Sequence, residues 1–200
     1  FPCQAVAKEI SQRLNLLADQ IRTQTRAGYL DDNHDLEGLM ARFFNALFGS
    51  DLVNLNVIHP NYPAADLGDY ERRLAFQITN TSAAAKITTT AEKAVKHRLN
   101  QHFDTLILFF LLPEKPEAPK KFTQPENGPH IKIWDLSDLL TLLADGPELA
   151  ALQAANNVLD LRLGPAGRST PALSAPAALP KHATKFIGRR IELDSLLPRF

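Results

Sequence analysis

The stretch TLILFFLL at 105–112 limits the possible folds more than any other part of this 200-residue chain. After Thr105 it has no polar side chain, so it cannot be a strand with one wet face, which would alternate apolar and polar residues. Only a strand covered on both sides tolerates such a run, and spanning a membrane would take about 20 residues. A strand of this kind belongs inside a sheet flanked by helices, so the expected class is α/β with a mixed central sheet. Residues 5–26 place Ile10, Leu14, Leu17 and Ile21 on one helical face. Residues 35–48 carry a wider stripe of Leu36, Leu39, Met40, Phe43, Phe44, Leu47 and Phe48, closed by Gly49 in the usual C-terminal position.

The remaining elements follow from alternation and turn residues. DLVNLNVI at 51–58 alternates and reads as a strand. YPAADL (62–67) and RRLAFQITN (72–80) read as two more, with Gly68 in the turn between them. In the second, Leu74, Phe76 and Ile78 share one face, and Ala75, Gln77 and Thr79 the other. Residues 81–102 read as a helix with Thr81 or Ser82 as N-cap. After the buried strand come a polar, Pro-rich loop, the strand HIKIWD, a helix with Ser137 near its start and a further helical stretch with Pro147 at its first position. The resulting order is α-α-β-β-β-α-β-β-α.

Bulk composition leaves the partner open. Hydrophobic residues make up 44% of the chain, enough for a core, and 22 basic residues balance 22 acidic ones. A nucleic-acid binder of this composition needs a local basic face. The single cysteine, Cys3, excludes an internal disulfide and a cysteine-based zinc site, and it suits a reducing cytoplasm. No signal-peptide pattern is visible and no membrane attachment is expected. The six histidines lack metal-ligand spacing, and Trp134 reads as core.

Chemistry concentrates around NYPAADLGDYERRLAFQITN at 61–80. Metal-assisted phosphodiester hydrolysis needs hard oxygen ligands, and a cation for the charge that develops on phosphate. Asp66 ends one strand. Gln77, on the next, offers an amide oxygen, with Thr79 on the same face. Lys86 falls in the first turn of the following helix, whose N-terminus favours anions. Glu37 lies between Phe44 and Phe48 on the buried helix face, and a buried carboxylate is costly unless paired or bound to metal. Bland readings stand beside these: Asp66 as a turn former, Gln77 as a backbone-satisfied amide, Lys86 as a solvated lysine, Glu37 in an ion pair. Asp69 reads as a structural turn residue. Lys86, Lys93, Lys96 and His97 lie along one side of a helix, either as phosphate contacts or as a solvated face.

The pieces LFGSDLVNLN, NYPAADLGD, AFQIT followed by KI, and HFDTLI resemble the SMEK domain, a bacterial module similar to the PD-(D/E)xK restriction-endonuclease-like superfamily. The resemblance covers about residues 7–145. It implies an αβββαβ restriction-endonuclease-like core and a nuclease that uses Mg²⁺ or Mn²⁺ on double-stranded DNA. In that superfamily a hairpin carries Asp, then Glu or Gln, then Lys two residues later. Asp66 and Gln77 match, Thr79 stands in place of the Lys, Lys86 can supply it from the next helix, and Glu37 matches an acidic residue on the preceding helix. The implied metal set is Asp66, Gln77 and Glu37. A catalytically silent module that binds DNA or protein is the alternative, and an adaptor at the head of a signalling NTPase is a third.

From Gly164 to Lys181 the chain is rich in Pro, Ala, Gly and Ser with no acidic residue, a linker composition. KFIGRRIELDSL at 185–196 then resembles the opening of STAND-type NTPase modules. The expected organisation is a nuclease-like domain at 5–160, a linker at 161–183 and the start of an NTPase module at 184–200. The resemblance implies an effector of anti-phage defence, activated by homo-oligomerisation.

Overall fold

The computed structural model describes residues 2–26 and 33–163. Their elements are helix α1 (Pro2–Arg26), α2 (Asn33–Phe48), strand β1 (Val53–Asn54), a short helical turn α3 (Leu55–Ile58), β2 (Leu67–Asp69), β3 (Leu74–Thr79), α4 (Ala85–Lys96), a 3₁₀ turn (Leu99–Gln101), β4 (Thr105–Phe110), β5 (His130–Trp134), α5 (Leu136–Asp145) and α6 (Leu149–Leu163). Five strands form one mixed sheet in the order β1-β2-β3-β4-β5. The first two pairings are antiparallel and the last two parallel.

β4 lies between β3 and β5, and the alternation of its side chains divides the core. Ile107, Phe109 and Leu111 join Phe76, Ile78 and Trp134 beneath α1, α2, α5 and α6. Leu106, Leu108 and Phe110 turn to the opposite face, under α4 through Ala94 and Ile87. The run is therefore apolar because both faces are covered. Phe44 of α2 centres the thicker layer, its ring stacked on Phe76 at 4.7 Å and edge-on to Phe109 at 5.6 Å. α6 packs against both α1 and α2. There Arg13, almost fully buried, donates to the Asn156 carbonyl and side chain at 2.9 and 2.8 Å and to Asp160 at 2.8 Å. The free edge of β5 is closed by Gln124, whose side chain exchanges hydrogen bonds with the Ile131 backbone at 2.7 and 2.9 Å.

Several local expectations change. The strand expected at 51–58 stops at Asn54. The Asn54 side chain accepts from the Asn56 N–H at 2.9 Å and starts α3, so Leu55 is fully buried while Val57 is 77% exposed. The segment 61–66 is irregular, with left-handed backbone at Asn61 (φ 60°) and Ala64 (φ 65°). Gly68 lies within β2, and the turn is Tyr70–Arg73, with Arg73 itself left-handed. α4 starts at Ala85 with Ala84 as N-cap and no side-chain cap. α5 is capped by Asp135 in a reciprocal box with Asp138, so Ser137 is not its cap. α6 begins at Leu149, past Pro147, and continues to Leu163, beyond the expected domain end at 160. The rest of the linker and the NTPase-like tail at 184–200 lie outside the described residues.

Asp69 serves the hairpin. It is fully buried and accepts from the backbone N–H groups of Asp51 and Arg72, both at 2.9 Å, and from the Arg72 guanidinium at 2.8 Å. Burial raises its pKa, but these donors more than offset that and leave it below the ordinary value. Gly68 is required by close approach: a Cβ there would lie 2.5 Å from the Phe103 ring and 3.1 Å from Leu55. Since Phe103 is fully buried, Gly68→Ala is expected to destabilise by about 1–3 kcal/mol, read as a lowered urea midpoint with an unchanged m-value. Among the described residues no helix is long and apolar enough to cross a membrane.

Candidate active site

Strand phase brings the candidate residues together. β3 turns Leu74, Phe76 and Ile78 toward α2, and Ala75, Gln77 and Thr79 toward α4. Asp66 precedes β2, anchored by its own N–H to the Phe76 carbonyl at 2.7 Å. Its Oδ2 accepts from the Gln77 amide at 2.6 Å and from the Ile78 backbone N–H at 2.7 Å. Its Oδ1 accepts weakly from Asn56 at 3.4 Å. The same Asn56 amide nitrogen donates to both Glu37 oxygens at 3.2 Å, and Asn54 donates to Glu37 Oε2 at 3.0 Å. One amide therefore bridges two carboxylates, each only 8% exposed. Asn56 is itself held: its Oδ1 accepts the Tyr62 N–H at 2.9 Å.

Lys86 stands in the first turn of α4, as its position in the sequence implied. Together with Asp66 and Gln77 it lines two adjoining hollows. The larger, of about 490 Å³, has a wall of Asn56, Asn61, Tyr62, Pro63 and Ala64 facing α4, which contributes Thr89, Thr90 and Lys93, with His97 at its C-cap. The smaller, of about 220 Å³, reaches Glu37, Thr79 and Asn80. Lys93 and His97 thus share the groove with Lys86, as one helical face requires, while Lys96 is exposed and does not line it. Thr79 lies at the smaller hollow and its hydroxyl meets the Thr81 N–H at 3.4 Å.

The electrostatics match the geometry. Burial pushes the Asp66 carboxyl up to about 7; the Glu37 charge adds to the rise, while the Ile78 N–H, Lys86 and Asn56 offset part of it. Burial lowers the Lys86 ammonium, Asp66 pulls it back up, and Lys93 adds to the fall. A carboxyl that titrates near 7 in the folded chain and near 3.8 otherwise binds its proton more tightly when folded. Stability contributed at this position is therefore full at low pH and falls as pH rises from about 4 to about 7, by about 1.4 kcal/mol per unit of separation. Thermal unfolding across that range is expected to show the decline, and Asp66→Asn to flatten it.

The donor chemistry fits a hard divalent cation. Asp66 and Glu37 offer two recessed carboxylates, and the Gln77 amide oxygen accepts no hydrogen bond among the described residues. No group of three or more His, Cys, Asp or Glu side chains suited to a metal occurs among the described residues. Asn54, Asn56 and Tyr62 were not singled out in the sequence. Their signal was three asparagines and two prolines within 54–63, a composition that favours turns over a strand.

No match was found among curated proteins or among solved structures. A protein-family model, described as the SMEK domain, matches residues 9–144, which take in α2 through most of α5 and every residue of the site. On that match, the chain belongs to the SMEK domain family.

Proposed function

We propose that this domain is a metal-dependent DNA endonuclease of the PD-(D/E)xK type. The observation that carries the reading is the convergence of Asp66, Gln77 and Lys86 on the floor shared by both hollows, with Glu37 tied to Asp66 through Asn56. Asp66, Glu37 and the Gln77 amide oxygen would hold Mg²⁺ or Mn²⁺. Such an ion supplies a Lewis acid for a phosphate oxygen and lowers the pKa of a water bound to it. Lys86 places its ammonium beside Asp66 and takes the role Thr79 cannot, steadying negative charge that develops on the attacked phosphate. Lys93 and His97 lie further along the same groove, where they meet flanking phosphates. The Ile78 N–H and the Gln77 amide nitrogen both donate to Asp66 Oδ2, so the orientation of the carboxylate is set before substrate arrives.

The NTPase-like segment at 185–196 supports the wider reading of a cytoplasmic defence effector, activated when a downstream module assembles copies of the domain. Incubation of supercoiled plasmid with the protein tests the reading. Nicked and linear products are expected with Mg²⁺ or Mn²⁺ and none with EDTA; intact plasmid in both would contradict hydrolysis.

A second reading, a silent nuclease-like binder of DNA or protein, is favoured by two observations: Gln77 turns its amide nitrogen to Asp66, and Thr79 replaces the expected lysine. Metal titration separates the two, because a silent module needs no carboxylate-dependent cation site.

A further inference from the structure

The two walls of the larger hollow differ in chemistry. On α4, Lys86, Lys93 and His97 follow at i, i+7 and i+11, so they recur over about 10 Å and then about 6 Å along one face. Facing them is Tyr62, an aromatic side chain on a fixed mount. Its ring packs on the cluster of Leu55, Ala65, Ala75, Leu99, Phe103 and Leu106, and its backbone N–H is bound by Asn56. Left-handed backbone at Asn61 and Ala64 brackets it, conformations that persist only where surrounding contacts enforce them. A basic track opposite a rigid aromatic face is the arrangement by which proteins hold single strands: charges follow the backbone and the ring stacks a base. Asp66, 8% exposed, lies in the wall of this hollow, and Glu37 lines the smaller one that adjoins it. A volume of about 490 Å³ suits a ligand the size of one or two nucleotides.

We propose that the cleft takes DNA as an unpaired strand, with phosphates along Lys86, Lys93 and His97 and a base stacked on Tyr62. This rests on the nuclease reading above and replaces the double-stranded partner expected from the sequence with a strand that is single or locally opened where it enters the cleft. Stacking on Tyr62 would set the base beside the scissile phosphate without reading its edges, so sequence preference should be weak.

The test uses the whole 200-residue chain in EDTA, so that binding is read without cleavage. Fluorescence anisotropy is followed with labelled oligo(dT) and with the oligo(dT)·oligo(dA) duplex at equal salt. The single strand is expected to bind about tenfold tighter or more. Tyr62→Leu, which keeps apolar packing but removes the ring face, should cost about tenfold on the strand, while Tyr62→Phe should keep near-normal affinity. Lys93→Ala should weaken strand binding and reduce the salt slope by about 0.7. Equal or tighter binding of the duplex overturns the proposal, as does unchanged strand affinity in a folded Tyr62→Leu protein. Plasmid nicking by the same preparation keeps the two ideas apart. Metal-dependent nicking alongside duplex preference removes the single-strand proposal and leaves the nuclease reading. Strand preference with a working Tyr62 but no nicking in any metal removes hydrolysis and leaves the strand site.

Discussion

Asp66→Ala is expected to abolish metal-dependent nicking, with a fall of at least about 10³-fold in rate. Four features converge on that one carboxylate: the Gln77 amide, the Ile78 N–H, the Asn56 bridge to Glu37 and the charge of Lys86. The substitution removes the shared element of every one of them. The loss should not reflect unfolding. Asp66 is a buried carboxyl held up near 7, so replacing it removes a group whose ionisation opposes folding above that pH. Against that relief, alanine leaves the Ile78 N–H and the Gln77 amide without their acceptor, so the two effects oppose each other and the variant is expected to unfold near the wild-type temperature at pH 8. Cleavage that survives in Asp66→Ala would take Asp66 out of the mechanism.

Phe44→Ala is expected to have the largest effect on stability, about 3–5 kcal/mol. Phe44 is fully buried and contacts four rings, Phe43, Phe48, Phe76 and Phe109, at centroid distances from 4.7 to 5.9 Å. It joins α2 to the two central strands, so the cavity would open where the helix that carries Glu37 meets the strand that carries Gln77. A loss of that size is a large fraction of the total stability of a domain. Chemical denaturation should show it as a strongly lowered midpoint, and nicking should fall at temperatures where the wild type is still active. A midpoint shift below about 1 kcal/mol would mean that the packing around Phe44 closes readily and is not the keystone described.

How much of this was legible in the sequence depends on whether a residue's role is local. β4 was legible because burial on both faces removes alternation, a property of the run itself. The phase of β3 was legible too, since period 2 fixes Gln77 and Thr79 to the face opposite Phe76 once the strand is granted. Asp66 and Lys86 could be placed near Gln77 because a hairpin and a short connection leave little freedom. Asn56 could not. Its function is to bridge residues from α2 and from the segment before β2, a relation that no spacing expresses, and its alternation with Leu55 and Val57 imitated a strand. The wall at 59–64 was hidden for a different reason: its left-handed residues are an asparagine and an alanine, with no glycine to mark them. Gly68 was misread because a glycine needed for close packing in a strand looks like one needed for a turn. Of the basic face read on α4, Lys86 and Lys93 with His97 line the groove and Lys96 lies outside it, a difference that depends on where the opposing wall stands.

The proposed cation site consists of two recessed carboxylates and an amide. Isothermal titration of Mn²⁺ into the metal-free protein at pH 7, in two buffers of different ionisation heat, tests it most directly. Burial raises the Asp66 pKa to about 7, so cation binding at that pH should displace part of a proton and give heats that depend on the buffer. The expected result is one saturable site per chain with that buffer dependence, lost in Asp66→Ala and weakened in Glu37→Gln. No saturable binding, or binding unchanged in Asp66→Ala, would contradict the account.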